Sequence, residues 1–348
     1  FFYTHTPASP ILSGLVGSEM CIRDRVGLFK GLSEIGGGTS QQLADSLGLN
    51  ERWVREWLQH QACVNQIEYE EETQRFSISP EAAAVLVDED SPAYLMGAYH
   101  SALSVFPAAE KLEDAFRSGI GMTYDEHGSS CACGMEKMGA YTKKHRLVQE
   151  ILPLVPGLVE RLSKGIKVAD VGCGGALSTV VMAQAFPSST FVGYDTSEHA
   201  LDLARKNIEE MGVQNVTVAN PSTQPLPSDS TLDFVTTFDV VHDTPYPDQM
   251  IQDIYGALAT GGQWLCEDIK GLNSFEENLR EHPMAAMLYG FSITICMSSG
   301  LSTADGAGLG TLGFTEALAE KMMTNAGFAE FANLEVDTPL NNYYLATK

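Results

Sequence analysis

The run Val168-Ala169-Asp170-Val171-Gly172-Cys173-Gly174-Gly175-Ala176 has the make-up of a ligand-holding turn, with apolar strand residues, a glycine bend and then helical sequence. Glycine lets a ligand come close to the backbone N–H groups, which suits a nucleotide-bearing cofactor. A dinucleotide fingerprint G-x-G-x-x-G would need glycine at position 177, where the chain has Leu177. With Asp170 in front, the loop reads D-x-G-x-G instead. Asp195 lies 25 residues further on, at the end of the next apolar run. A carboxylate there accepts hydrogen bonds from both hydroxyls of a ribose; its competing role is to cap a helix starting near Ser197. His242, in Phe238-Asp239-Val240-Val241-His242-Asp243, carries an imidazole that titrates at about pH 6.5 when unperturbed, so it can take a proton from an acceptor near neutral pH. Its competing role is a backbone hydrogen bond at the strand end.

Alternating strands and helices must position these groups. Beyond Lys164 the sequence predicts strands at Ile166–Val171, Thr190–Asp195, Val216–Asn220, Leu232–Asp239 and Gln263–Ile269. Helices near Ala176–Ala185, His199–Met211 and Pro247–Ala259 fall between them, and two last strands at Phe331–Val336 and Asn342–Thr347 follow. Such alternation implies a parallel sheet with crossover helices. Further upstream, Thr39-Ser40 caps a short helix that stops at Gly48, and Asn50 caps a second from Glu51 to about Gln61. Ile67–Tyr69 and Arg75–Ile78 alternate with period two around Glu71–Gln74, which predicts a hairpin. Helix, turn, helix and hairpin together predict a winged helix. Helical spacing from about Pro107 to Leu162, interrupted by a Gly/Ser/Cys-rich loop from Tyr124 to Gly134, predicts a helical bridge.

The chain has 348 residues and a formal charge of −24. The winged-helix stretch Val26–Ala98 carries only Lys30, Arg52, Arg55 and Arg75 against twelve acids. That balance argues against nucleic acid as a partner, because phosphate binding needs clustered cations. The longest wholly apolar run, Ala82–Val87, is far short of the roughly 20 residues of a spanning helix, so no membrane is expected. Seven scattered cysteines read as reduced thiols of a cytoplasmic protein. Residues 1–25 lack periodicity, and Val16–Asp24 resembles a translated sequencing adapter; this segment is set aside as non-native.

On the motifs Glu51-Arg52-Trp53-Val54-Arg55-Glu56-Trp57-Leu58, Val168–Gly174 and Phe238–Asp243, the chain resembles bacterial-type class I S-adenosylmethionine-dependent methyltransferases that carry a winged helix. The resemblance implies an α/β chain with a Rossmann-like sheet. It divides into 26–98, a winged-helix domain of the dimerising kind, 99–162, a helical bridge and lid, and 163–348, the S-adenosylmethionine-binding domain. It further implies that Asp170, Gly172, Cys173, Gly174 and Asp195 hold the cofactor, with Asn220 toward adenine and Phe238 and Asp239 toward its methionine end. A second resemblance, to plant-type small-molecule O-methyltransferases, places a His-Asp pair just after the fourth strand and implies a homodimer. His242-Asp243 falls there, so His242 is the candidate base. That family orients its base with a carboxylate from the last strand, where this chain has Ala346, which leaves Glu267 as the candidate.

Several other side chains could face the acceptor. Tyr124 and His127 do so if the bridge covers the cleft, and Tyr289 and Met297 belong to an apolar, sulfur-rich stretch suited to a flat ligand. His127, Cys131 and Cys133 lack the paired spacing of a zinc site, so no metal is expected. The expected function is methyl transfer to a hydroxyl of a small molecule. Two alternatives stay open, a non-catalytic cofactor-binding regulator or scaffold, and transfer to nitrogen or carbon by alignment alone.

Overall fold

The computed structural model describes residues 26–348; the segment set aside above, 1–25, lies outside the described residues. Two compact units result, one from the described residues through Leu103 with Cys133–Tyr141, the other from Ser104–Ala132 with Thr142–Lys348.

In the first unit, helices Leu28–Glu34, Ser40–Leu47 and Glu51–Cys63 precede a hairpin of β1 (Glu68–Glu70) and β2 (Arg75–Ser77). Thr39 forms a capping box with Gln42, and the Asn50 side chain accepts from the Arg52 N–H. These caps satisfy N–H groups that a helix cannot pair internally. Leu32, Leu43, Val54, Leu58 and Phe76 are buried together, and Phe29 meets Trp57 edge to face at 5.1 Å. Arg52 and Arg55 pair with Glu56 and Glu51 on their own helix, so the cations of that surface are already matched.

The stretch 124–134, expected as a loop, is instead a 3-10 turn, Tyr124–His127, running into a helix, Gly128–Tyr141. Its small residues serve close packing. A Cβ added at Gly134 would lie 2.3 Å from Ser101 Oγ, and one at Gly97 would lie 2.5 Å from the Met138 nitrogen. Gly97 and Ser101 lie on the helix Met96–Ser118, so two helices meet here nearly backbone to backbone. Composition alone reads such a run as a breaker.

The second unit is built on a seven-stranded sheet of β3 (Lys167–Val171), β4 (Thr190–Tyr194), β5 (Val216–Ala219), β6 (Leu232–Phe238), β7 (Leu258–Ile269), β8 (Glu330–Leu334) and β9 (Asn341–Thr347). Their order is β5-β4-β3-β6-β7-β9-β8, with β9 antiparallel to both neighbours and the rest parallel. The direction of winding reverses between β3 and β6. In an open α/β sheet, the crevice outside the strand ends at such a reversal is where ligands bind.

Both faces of the sheet are covered. Ala169, Val235, Trp264, Cys266 and Tyr344 face helices Pro247–Ala257 and Glu316–Ala326. Val168, Phe234, Leu265, Tyr343 and Leu345 face Met182, Leu147, Ile151, Leu158 and Leu162. Successive strand residues alternate between the faces, so parity decides which side chain meets which helix. Among the described residues no helix is long and apolar enough to cross a membrane.

Trp264 is fully buried and its Nε1 donates to Thr237 Oγ1 at 3.1 Å. Trp264→Ala is expected to cost about 3–5 kcal/mol through the cavity and the orphaned hydroxyl. Urea unfolding followed by circular dichroism checks this.

Candidate active site

Asp170 ends its strand fully buried, and its two oxygens accept from Thr179 Oγ1 at 2.6 Å and Thr236 Oγ1 at 2.9 Å. Burial pushes its carboxyl up to about 6 against those two donors. The carboxylate thereby ties β3 to β6 and to the helix Leu177–Ala185, and fixes the turn that follows. In that turn Gly172 and Gly174 have φ of +73° and +55°, and a Cβ at Gly172 would come within 2.3 Å of Val240. The Gly172 and Cys173 N–H groups both donate to the Tyr194 carbonyl, at 2.7 and 2.9 Å. The Cys173 side chain is buried with Ala176 and Ala204, and burial raises its thiol well above the usual range. Its contribution to the loop is therefore backbone and bulk.

Asp195, just after β4, accepts from the Gly174 N–H and the Ser197 N–H, each at 2.9 Å. A carboxylate offers about four acceptor positions, and the Thr196 N–H also bears on it, so at least one remains for a hydroxyl of a bound ribose. Burial raises its pKa, opposed by these backbone donors. At Gly174 an added Cβ would meet nothing within 4 Å, so the loop fronts open space. A mostly buried carboxylate beside an open, positive-φ glycine turn fits a nucleoside-bearing cofactor. Asn220 follows β5 and donates to Glu198 Oε1 at 2.8 Å. Asp239, after Phe238, has φ +58° and accepts from Asn341 Nδ2 at 2.7 Å. Burial and then the neighbouring Glu267 raise its pKa.

His242 is buried, and its Nδ1 donates to Asp268 Oδ1 at 2.6 Å. This corrects the assignment of Glu267 as the orienting carboxylate. Glu267 and Asp268 are adjacent on β7 and point to opposite faces. Glu267 shares its face with Leu265 and pairs with Lys143 Nζ at 2.7 Å, whereas Asp268 shares the other with Cys266 and meets the imidazole. Burial alone would depress the imidazole, but the Asp268 charge outweighs it, and the pKa of His242 lies well above the ordinary value. The Cys296 thiol lies within electrostatic reach of the imidazole. Burial pushes the next carboxyl, Asp243, up to about 7, while His242 draws it down.

The remaining candidates divide. Tyr124 lies within electrostatic reach of Asp195, Asp243 and Cys296, and its phenol is raised by burial first. His127 is buried one turn later, and its Nε2 lies 3.3 Å from Ser299 Oγ. Its turn is fastened by Asp125, which accepts from Ser197 Oγ at 2.7 Å, next to Asp195. Met297 adjoins Cys296, and the Gly310 N–H donates to the His242 carbonyl. Tyr289 instead packs against Phe275, with ring centroids 6.0 Å apart, beside Leu288 and Leu312.

Three residues escaped sequence reasoning. Strand β7 is buried on both faces, so no alternation distinguishes Asp268 from Glu267. Lys143 is the second residue of a π-helical segment, Thr142–Ile151, and no motif in the sequence marks it. Cys296 ends a π-helical turn, Ser292–Cys296, of the kind often found at functional sites; its neighbourhood to Met297 was the available signal.

Family profiles match two parts of the chain, a "Methyltransferase domain" over residues 162–327 and an "Rv2258c-like winged HTH domain" over residues 15–88. A demethylmenaquinone methyltransferase of Listeria welshimeri is 33% identical over 110 residues, which cover 31% of this chain and 47% of that protein. The chain thus matches about half the length of this curated relative. Among solved structures, human N-acetylserotonin methyltransferase in complex with S-adenosylmethionine is similar with a TM-score of 0.68 at 14% identity, covering 100% of this chain and 99% of that one. An O-methyltransferase family protein from Burkholderia thailandensis is similar with a TM-score of 0.62 at 15% identity, covering 98% of this chain and 99% of that one. The class I methyltransferase fold, with an N-terminal winged helix, is thereby established for this chain.

An imidazole raised by Asp268 is protonated over a wider pH range than a free one. Asp268→Asn removes the charge but keeps the shape, and is expected to move the His242 titration toward lower pH. Proton NMR of the imidazole ring across pH checks it.

Proposed function

We propose that this chain, a methyltransferase domain joined to a winged HTH domain, transfers a methyl group from S-adenosylmethionine to a hydroxyl oxygen of a small molecule, with His242 as general base. One observation carries the reading. A buried His-Asp pair stands at the ends of β6 and β7, on the far side of the sheet's reversal point from the glycine turn and Asp195. When bound, the cofactor supplies an electrophilic methyl on a sulfonium.

The protein's own residues have separable tasks. The Asp195 carboxylate accepts from a ribose hydroxyl, and the turn at Gly172–Gly174 admits the cofactor close to its backbone. Burial raises the carboxyl groups of Asp239 and Asp243 to about 8 and about 7, so near neutral pH they exchange protons and can serve as donors as well as acceptors beside the cofactor. Asp268 fixes the Nδ1–H tautomer of His242, so that Nε2 takes the acceptor's proton and the carboxylate then steadies the imidazolium. Because the base must be neutral and its pKa is raised, turnover should increase with pH through a midpoint above the ordinary imidazole range. The incoming hydroxyl meets the imidazole at Nε2, with Tyr124, His127 and Met297 around it. The alignment of nucleophile, methyl and leaving sulfur supplies the rest of the acceleration.

Support for a small-molecule oxygen acceptor comes from the fold neighbours. One is named for N-acetylserotonin and another belongs to an O-methyltransferase family. A homodimer through the winged-helix unit completes the reading.

The test is a panel of phenolic and hydroxylated small molecules, scored by S-adenosylhomocysteine formed. With an acceptor found, His242→Gln should retain product binding by calorimetry and lower kcat by roughly a hundredfold or more. Undiminished turnover would remove His242 from the mechanism. Cofactor binding without turnover on any acceptor would favour a regulatory or scaffold protein.

A further inference from the structure

Lys143 is a buried cation that the proposed proton transfer does not use. Its ammonium lies 2.7 Å from Glu267 Oε2 and 3.6 Å from the centroid of the Phe238 ring, with both side chains of the ion pair over nine-tenths buried. Such a pair is costly to desolvate and is seldom retained for stability alone. Parity puts its surroundings on one face of the sheet. Asp170, Phe238, Glu267 and Tyr343 belong to the face covered by the segment Thr142–Ile151, and the Asp170 and Asp239 carboxyls both lie within electrostatic reach of Lys143. The ammonium thus stands beside the ends of β3 and β6, at the reversal of the sheet.

The proposed cofactor constrains what belongs there. With a ribose on Asp195 after β4 and a methyl group facing His242 after β6, the cofactor would lie across the end of β3. Its amino-acid end would then reach the crevice between β3 and β6. That end carries one ammonium and one carboxylate. A carboxyl group can accept from the ammonium, whereas the carboxylate needs a cation or an N–H donor, and Lys143 is a cation at this place. An ammonium has three N–H donors, and Glu267 takes one of those on Lys143.

We infer that Lys143 is a cofactor-binding residue, whose ammonium pairs with the α-carboxylate of the donor's methionine end while Glu267 and the Phe238 ring hold it in place. The inference rests on the cofactor reading above, and it predicts discrimination by the carboxylate specifically.

The test compares two ligands by calorimetry, S-adenosylhomocysteine and its decarboxylated analogue 5′-deoxy-5′-(3-aminopropylthio)adenosine. The wild-type protein should bind the first roughly tenfold tighter or more, as expected for one charge-assisted contact. In Lys143→Met combined with Glu267→Gln, which avoids stranding a buried carboxylate, that preference should fall to near one, with the analogue's affinity kept within about threefold. Lys143→Gln in the Glu267→Gln background is the more polar second variant, with the same expectation. A wild-type preference near one overturns the inference and leaves the cofactor reading standing, as does a preference that survives both variants. Wild-type protein that binds neither ligand overturns the cofactor reading and this inference together.

Discussion

The Asp170 carboxylate, closed off from water and held by two threonine hydroxyls, is the interaction on which the rest of the site depends. A carboxyl group in such a place is costly to bury, and it stays only because each oxygen has a donor. The two donors come from different elements, so satisfying Asp170 also fixes the separation of β3, β6 and the helix behind the turn. That spacing lets Gly172 pass Val240 with no room for a Cβ, and it places the Gly174 N–H on Asp195. The turn is therefore set from beneath, before any ligand arrives.

From this anchor the site extends by parity. Alternate residues of the central strands supply two separate chemistries. On one face, Asp170, Phe238 and Glu267 gather around Lys143, and on the other, Asp268 faces His242. Each set contains a buried ion pair or a charge-assisted hydrogen bond, and each is linked to the ends of the strands rather than to their middles.

Much of this organisation is legible in the chain. Most of the strands and helices expected of the second unit lie within a few residues of their observed bounds, although β7 starts at Leu258 rather than Gln263; the helix Glu198–Met211, for one, is bounded by the Ser197 cap and Gly212. The glycine turn and its acidic partner were identifiable because they need specific residue types at specific spacing. The orienting carboxylate was not, since a strand covered on both faces carries no alternation from which to tell Glu267 from Asp268. Lys143 was hidden for a related reason, because no motif marks it until a partner from far along the sequence is known. The stretch after Tyr124 misled in the opposite sense, as small residues that permit close packing are the same residues that break helices.

That close packing also bears on how the first unit comes apart. Where Gly97 and Gly134 bring two helices together, backbone lies against backbone beside the Met135 and Met138 side chains. A larger residue at either glycine has to wedge the helices apart, so a single added side chain is enough to open the unit at this seam.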